Sequence, residues 1–172
     1  NIGIKLIKEE GIAIYIHLPY CESLCTFCAC HKRITKNHDV EKSYIDALLI
    51  EWQMYLDLMA FKPTIKEIHL GGGTPSFFSA ENLHLLIKTI LDNSIIADMP
   101  QFSFEGHPNN TTKEHLEKLY HLGFTRVSFG VQDYDQIVQK AIHRIQPFEN
   151  VASVTSIARQ IGYSSISHDL IY

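Results

Sequence analysis

"GIAIYIHLPYCESLCTFCACHK", residues 11–32, joins two signals. Its first part, Gly11 to Pro19, is a short isoleucine-rich apolar run closed by proline, the pattern of a strand buried in a sheet. Its second part packs Cys21, Cys25, Cys28 and Cys30 into ten positions, and the chain has no other cysteine. A loop rich in chemistry thus leaves the end of a buried strand. In folds built from parallel strands, that end is where sites collect.

The same plan recurs downstream. "IKEIHLGGG" (65–73) is a second apolar run that enters glycines and continues to Thr74 and Pro75. "QFSFEGHP" (101–108) is a third and carries Glu105 near its end. "FTRVSFGVQ" (124–132) closes on Gln132, and "YSSISHDLIY" (163–172) holds Asp169. Helical spacing fills the gaps. From about Val40 to Phe61, Tyr44, Leu48, Trp52, Tyr55, Leu56 and Met59 predict one apolar face. In residues 79–93, Ser79 is the expected N-cap, with Leu83, Leu86, Ile87 and Ile90 facing inward. In residues 111–123, Thr111 and Glu114 make a capping-box pattern and Gly123 a stop. Two more helical stretches run from about Asp135 to Ile142 and from Glu149 to Ile161. "LGFTRVSFG" and "IGYSSISHD" repeat one plan: a helix-ending glycine, an aromatic, then a strand.

Strand–helix alternation predicts an α/β fold of parallel strands, either a closed or partly closed (β/α) barrel or a doubly wound open sheet. Residues 1–172 read as one domain with five strands. In both folds the cysteines, the "GGGTP", Glu105, Gln132 and Asp169 fall on one rim.

Bulk properties narrow the partners. The 172 residues are 45% hydrophobic and 20% charged, which suits a globular core. A net charge of -4 gives no reason to expect nucleic acid or an anionic membrane surface. The most apolar long stretch, residues 44–61, is cut by Asp46, Glu51, Gln53 and Asp57, so it reads as an amphipathic helix. With no signal peptide visible, the expected compartment is the cytoplasm. The chain opens on Asn1 and closes on "DLIY", neither a natural boundary, so a fragment is expected, with the C-terminal part of the fold missing.

Four close cysteines allow three readings. Disulfides are disfavoured in the cytoplasm. Structural zinc usually takes a second, distant cysteine pair; there is none, although His31 or another histidine can complete a site. The third reading is an iron–sulfur cluster. The spacing C-x3-C-x2-C places Cys21, Cys25 and Cys28 around three corners of a 4Fe–4S cube and leaves one iron open to a ligand.

This spacing directly after a first barrel strand, with Phe27 before the third cysteine and "GGGTP" after the second strand, resembles the radical S-adenosylmethionine (SAM) superfamily. In that family the open iron chelates the methionyl amino and carboxylate groups of SAM. An electron from the reduced cluster breaks the sulfur–C5′ bond and yields a 5′-deoxyadenosyl radical. The resemblance also explains the glycine run, which lets backbone come close to SAM. "YIHLPYCESLCTFCACHK" (15–32), "HLGGGTPSF" (69–77), "FSFEGHP" (102–108), "FGVQD" (129–133), "IHRIQPFE" (142–149) and "HDLIY" (168–172) together resemble the oxygen-independent coproporphyrinogen III oxidases, also called coproporphyrinogen dehydrogenases.

That resemblance implies a partial radical SAM barrel and the decarboxylation of two propionates of coproporphyrinogen III to vinyl groups, a step of haem biosynthesis. It implies a 4Fe–4S cluster on Cys21, Cys25 and Cys28, with Cys30 not a ligand. It implies two SAM molecules: one near Tyr15, Gly72 and Glu105, the other near Phe27, Gly73, Thr74, Gln132, Arg144 and Asp169. No residue is assigned a catalytic role. The implied partners are a porphyrinogen substrate, an electron donor and an electron acceptor, and the protein is expected to be a monomer. The chain departs from the family at Gly106 and His107, where a small or apolar residue and then Asp or Asn are usual, and at Ile145, where some members carry a carboxylate. His17 and His69 read as satisfied histidines rather than metal ligands. Two alternatives stay open. One is a haem-binding, chaperone-like relative, although Cys30 stands where such relatives usually carry an aromatic. The other is a zinc module without redox role.

Overall fold

The computed structural model describes residues 2–172. In chain order the elements are α1 (Ile2–Glu10), β1 (Ile12–Leu18), β2 (Tyr20–Cys21), β3 (Arg33–Ile34), α2 (Val40–Met59), β4 (Thr64–Gly72), a short 3-10 turn (Pro75–Phe77), α3 (Ala80–Asp92), β5 (Ile95–Gly106), α4 (Lys113–His121), β6 (Phe124–Gln132), α5 (Gln136–Ala141), α6 (Phe148–Ile161) and β7 (Ser165–Leu170).

Five strands form one sheet in the order β1-β4-β5-β6-β7, and every pair in it is parallel. Each crossover adds its strand beside the previous one. The order never reverses, as it does in a doubly wound sheet. The winding is that of a (β/α) barrel wall, with β1 and β7 as its two ends among the described residues.

Alternation along the strands sorts side chains between the two faces. Ile16, Leu18, Ile68, Leu70, Phe102, Phe104, Val127 and Phe129 are buried. Helices cover that face: α2 touches α3, α3 touches α4, and α4 touches α6. The other face carries Tyr15, His17, His69, Ser103, Glu105 and Ser128, none of them buried. Ser79 caps α3 by accepting from the Asn82 N–H at 3.2 Å, and Leu83, Leu86, Ile87 and Ile90 of that helix are all buried. Each such side chain contributes up to about 1.5–3 kcal/mol on leaving water.

Several local expectations shift. On α2 the buried stripe includes Ile45, while Tyr55 is exposed and donates its hydroxyl to Glu51 at 3.1 Å. Tyr55 lies about 40–80° around the helix from Ile45, Trp52 and Met59, at the edge of that stripe, where its hydroxyl can reach solvent. The capping box of α4 is built by Thr112 and His115, not by Thr111 and Glu114. The box needs a side-chain acceptor for the N-cap N–H, and His115 Nδ1 supplies it at 3.2 Å while its Nε2–H donates to the Phe78 carbonyl at 2.8 Å. Thr111 instead donates to the His107 carbonyl at 2.9 Å. The third sheet strand starts at Ile95, six residues before Gln101, and its pairing with β4 jumps from Ile65↔Ile96 to Glu67↔Gln101. That excursion hides the strand from a periodicity count. Helix α1 and the two-residue pair β2–β3 are also additions to the expected elements.

Candidate functional site

The cysteine loop is closed at its base by β2 and β3. The Arg33 N–H donates to the Pro19 carbonyl at 2.7 Å and the Thr35 N–H to the Cys21 carbonyl at 2.9 Å. Lys32 Nζ ties the loop from within, donating to the Cys28 carbonyl at 2.7 Å and the Cys30 carbonyl at 3.4 Å. His17 Nε2–H reaches the His31 carbonyl at 2.8 Å. At the far side the Thr26 N–H donates to the carbonyl of Ile142, just past α5, at 3.1 Å.

All four cysteines are free thiols. Cys21 Sγ lies 3.3 Å from Thr74 Oγ1, and Arg144 Nη1 donates to Cys25 Sγ at 3.8 Å. Burial pushes the Cys21 thiol up. Burial also pushes on Cys28, but the Cys30 N–H and thiol and the Lys32 ammonium outweigh it, so Cys28 is lowered. Cys30 is raised, by burial and then by the Cys28 sulfur. A lowered thiol is the one ready to act as a thiolate ligand.

The "GGGTP" segment is seated against this loop. The Gly73 N–H donates to the Leu18 carbonyl at 2.9 Å and the Thr74 N–H to the Tyr20 carbonyl at 3.0 Å. A Cβ on Gly73 would stand 2.7 Å from the Pro19 carbonyl carbon and oxygen. Gly72 has φ 116°, and a Cβ there would meet the His17 ring at 2.8 Å. The glycines are therefore required first by the chain's own packing.

Across the rim, β6 ends on Gln132, held at φ 70° where only glycine is at ease. A Cβ on Gly130 would lie 2.7 Å from Gln132 Nε2 and 3.0 Å from Arg144 Nη2, so a bare backbone lets both side chains lie over the strand. Arg144 follows His143, also left-handed at φ 55°. Its Nη2 donates to the Gly130 carbonyl at 2.6 Å, while its buried Nε has no partner in the protein. Asp169 Oδ1 accepts from Ser128 Oγ at 2.8 Å, and Glu105 Oε1 accepts from His69 Nε2 at 3.2 Å. His107 donates its backbone N–H to Ser76 Oγ at 3.1 Å, and its Nδ1 accepts from the Asn109 N–H at 3.1 Å. Burial, and then the charge of Arg144, hold its pKa down to about 3, so the ring is neutral.

These groups share one cavity of about 830 Å³. Cys21, Cys25, Cys28 and Phe27 line it on the loop side. Gly72, Gly73 and Thr74 form its floor, and Glu105, Gln132, Arg144 and Asp169 line the remainder. Tyr15 alone among the expected residues is not in the lining. It lies on the inner sheet face, stacked on His69 with centroids 5.8 Å apart, and its hydroxyl donates to His17 Nδ1 at 3.2 Å. Burial and the neighbouring Glu105 raise its pKa. His17 and His69 are both satisfied, as expected. No sequence motif points to Ser103, Ser128 or Ser76; strand alternation places the first two on the inner face.

The donor set suits an iron–sulfur cluster. Around one metal ion, ligands converge on one point. Among the described residues no three His, Cys, Asp or Glu side chains do so. Three partly accessible thiols on one closed loop, lining one cavity, are the soft ligand set that an iron–sulfur cluster takes.

A family model described as "Radical SAM superfamily" matches residues 15–172. Over 171 residues the chain is 42% identical to the oxygen-independent coproporphyrinogen III oxidase of Helicobacter pylori strain J99, covering 98% of this chain and 37% of that protein. It is 34% identical over 170 residues to the enzyme of the same name from Escherichia coli K12, covering 99% of this chain and 37% of that one. The chain thus spans little more than a third of these relatives. Among solved structures it matches coproporphyrinogen III oxidase (HemN) from Escherichia coli, titled a radical SAM enzyme, with a TM-score of 0.90 at 31% identity, covering 99% of this chain and 40% of that one. The radical SAM methyltransferase TsrM of Kitasatospora setae matches at TM-score 0.55 and 12% identity over 92% of this chain and 31% of that one, a likeness of fold alone.

Proposed function

The chain belongs to the radical SAM superfamily, and on that premise we propose that residues 1–172 form the cluster- and SAM-binding domain of an anaerobic coproporphyrinogen III oxidase of haem biosynthesis. Cys21, Cys25 and Cys28 hold the 4Fe–4S cluster. When bound, the cluster supplies the electron that breaks a sulfur–carbon bond of SAM. Thr74 and Arg144 sit against two of the sulfurs, at 3.3 and 3.8 Å, and moderate their charge. Tyr15, Gly72 and Glu105 face the SAM on the open iron, Tyr15 from the inner sheet face where it stacks on His69. Gln132, Arg144 and Asp169, with Phe27, Gly73 and Thr74, face a second SAM. There Arg144 presents a planar guanidinium suited to a carboxylate.

The observation that carries this reading is the convergence of eleven of the twelve expected residues on one cavity, from six separate stretches of chain. Likeness to the named oxidases supports the substrate, coproporphyrinogen III, and conversion of two of its propionates to vinyl groups. An electron donor and acceptor are then required. Among the described residues no helix is long and apolar enough to cross a membrane. We place the protein in the cytoplasm as a monomer, without nucleic acid or membrane partner. The test is anaerobic reconstitution of the full-length protein, with iron counting, SAM cleavage and product analysis. About four irons per chain, 5′-deoxyadenosine and protoporphyrinogen IX are expected. Haem retained without conversion of coproporphyrinogen III overturns the oxidase reading in favour of a haem carrier. A colourless protein with one zinc overturns it altogether.

A further inference from the structure

Ser103, His69 and Glu105 form a hydrogen-bonded file across the inner face of the sheet. His69 of β4 is the cross-strand partner of Ser103 of β5, and Glu105 stands two residues further along β5 on the same face. His69 Nδ1 lies 2.8 Å from Ser103 Oγ and His69 Nε2 lies 3.2 Å from Glu105 Oε1. An ionised carboxylate only accepts, so Nε2 carries the proton. In the neutral ring Nδ1 then accepts, and the Ser103 hydroxyl donates to it. The ring is held at both ends.

Its flat face is held as well. Tyr15 stacks on it at 5.8 Å with 17° between the planes, and Tyr15 is itself tied to His17. The path from His69 to Glu105 passes Gly71. A Cβ there would lie 3.1 Å from His69 Nε2, 3.1 Å from Tyr15 Cε2 and 3.2 Å from Glu105 Cδ. The absence of a side chain at Gly71 keeps the diagonal contact open. Yet the His69 and Glu105 side chains are 40% and 46% exposed, so the pair adds little to stability. Four neighbours constrain a contact that the fold hardly needs.

We propose that His69 is a positioning residue: held by Ser103 and Tyr15, it fixes Glu105 Oε1 and leaves Oε2 to accept from a donor group of SAM in the cavity. This rests on the assignment of Glu105 to SAM binding made above. A half-exposed glutamate otherwise loses its rotamer freedom on binding, and ordering it beforehand removes that cost. The expected gain is about three- to tenfold in affinity.

The test is SAM binding by equilibrium dialysis to the full-length protein with its cluster reconstituted anaerobically. His69→Leu should weaken binding about three- to tenfold with iron content and melting temperature unchanged. His69→Gln, whose amide N–H can replace Nε2–H, should stay within about twofold of wild type. Because His69 acts through Glu105, the double variant should bind no more weakly than Glu105→Gln alone. Wild-type affinity in His69→Leu, with Glu105→Gln impaired, overturns the proposal, as does an additive loss in the double variant. Unchanged binding in Glu105→Gln removes Glu105 from the site, and the proposal falls with it. If His69→Leu does not fold, Ser103→Ala frees only the Nδ1 end. A twofold to threefold loss of affinity then supports the inference, and none refutes it.

Discussion

Replacing Gly73 by alanine probes the junction between the "GGGTP" segment and the cysteine loop. The added Cβ would sit 2.7 Å from the Pro19 carbonyl carbon and oxygen and 2.9 Å from the Tyr20 carbonyl oxygen. These are backbone atoms and cannot rotate aside. To reach even 3.0 Å, the segments must part by at least 0.3 Å. The same seam holds the Gly73 N–H to the Leu18 carbonyl at 2.9 Å and the Thr74 N–H to the Tyr20 carbonyl at 3.0 Å. Losing or stretching two backbone hydrogen bonds costs about 1 kcal/mol each, and overpacking adds about 1–2 kcal/mol. The expected destabilisation is therefore about 3 kcal/mol, or roughly 8 °C in melting temperature for a domain of this size. Thr74 Oγ1 would also move away from Cys21 Sγ, so the cluster should load incompletely. Differential scanning calorimetry of the cluster-free protein and iron counting after reconstitution read the two effects. A melting temperature within about 1 °C of wild type, with full iron, would refute the claim that Gly73 is demanded by the chain's own packing.

Replacing Cys21, Cys25 or Cys28 by alanine should abolish the cluster, whereas Cys30→Ala should keep it; equal loss of iron in Cys30→Ala and Cys25→Ala refutes the ligand assignment. Glu105→Gln should weaken SAM binding about tenfold to a hundredfold, because a hydrogen bond to a charged group contributes about 1.5–3 kcal/mol, while the melting temperature barely moves. The pKa of His107 is lowered from 6.5 to about 3, and that of His115 is also lowered, in both chiefly by burial. Below pH ~6.5 the unfolded chain therefore binds more protons than the folded one, so stability is complete above that pH and declines as pH falls towards 3. The decline is as much as about 1.4 kcal/mol per pH unit for His107, and urea midpoints of the cluster-free protein between pH 7.5 and 5 should show it. His107→Asn should flatten that slope, and an unaltered slope would show that His107 is already free to protonate.

Much of this molecule was legible along the chain because its signals are local. Ser79 caps α3 and Gly123 follows α4 because a cap needs only its own next few residues. The cysteine spacing marks Cys21, Cys25 and Cys28 as candidate ligands for the same reason: three thiols on one short loop need no distant partner to be recognised. Motifs in order at strand ends located Glu105, Gln132 and Asp169, since a parallel sheet brings all its C-terminal ends to one rim.

Pairwise geometry between distant segments was not legible. Nothing local distinguishes Thr111 from Thr112 as the cap of α4. His115 decides it, and His115 is oriented by the carbonyl of Phe78, 37 positions away. No periodicity shows that Gly73 is pressed on Pro19, or that Gly130 lies bare beneath Gln132 and Arg144. The sequence by itself determined which residues are the candidates for the site and that parallel strands present them. The tertiary structure alone decided that the strands wind in one direction, and that Tyr15 stacks on His69 across the inner sheet face. It also showed that His69 spans Ser103 and Glu105. The physical reason is register: diagonal contacts across a sheet depend on how neighbouring strands are offset, and that offset is set by packing of the whole sheet against its helices.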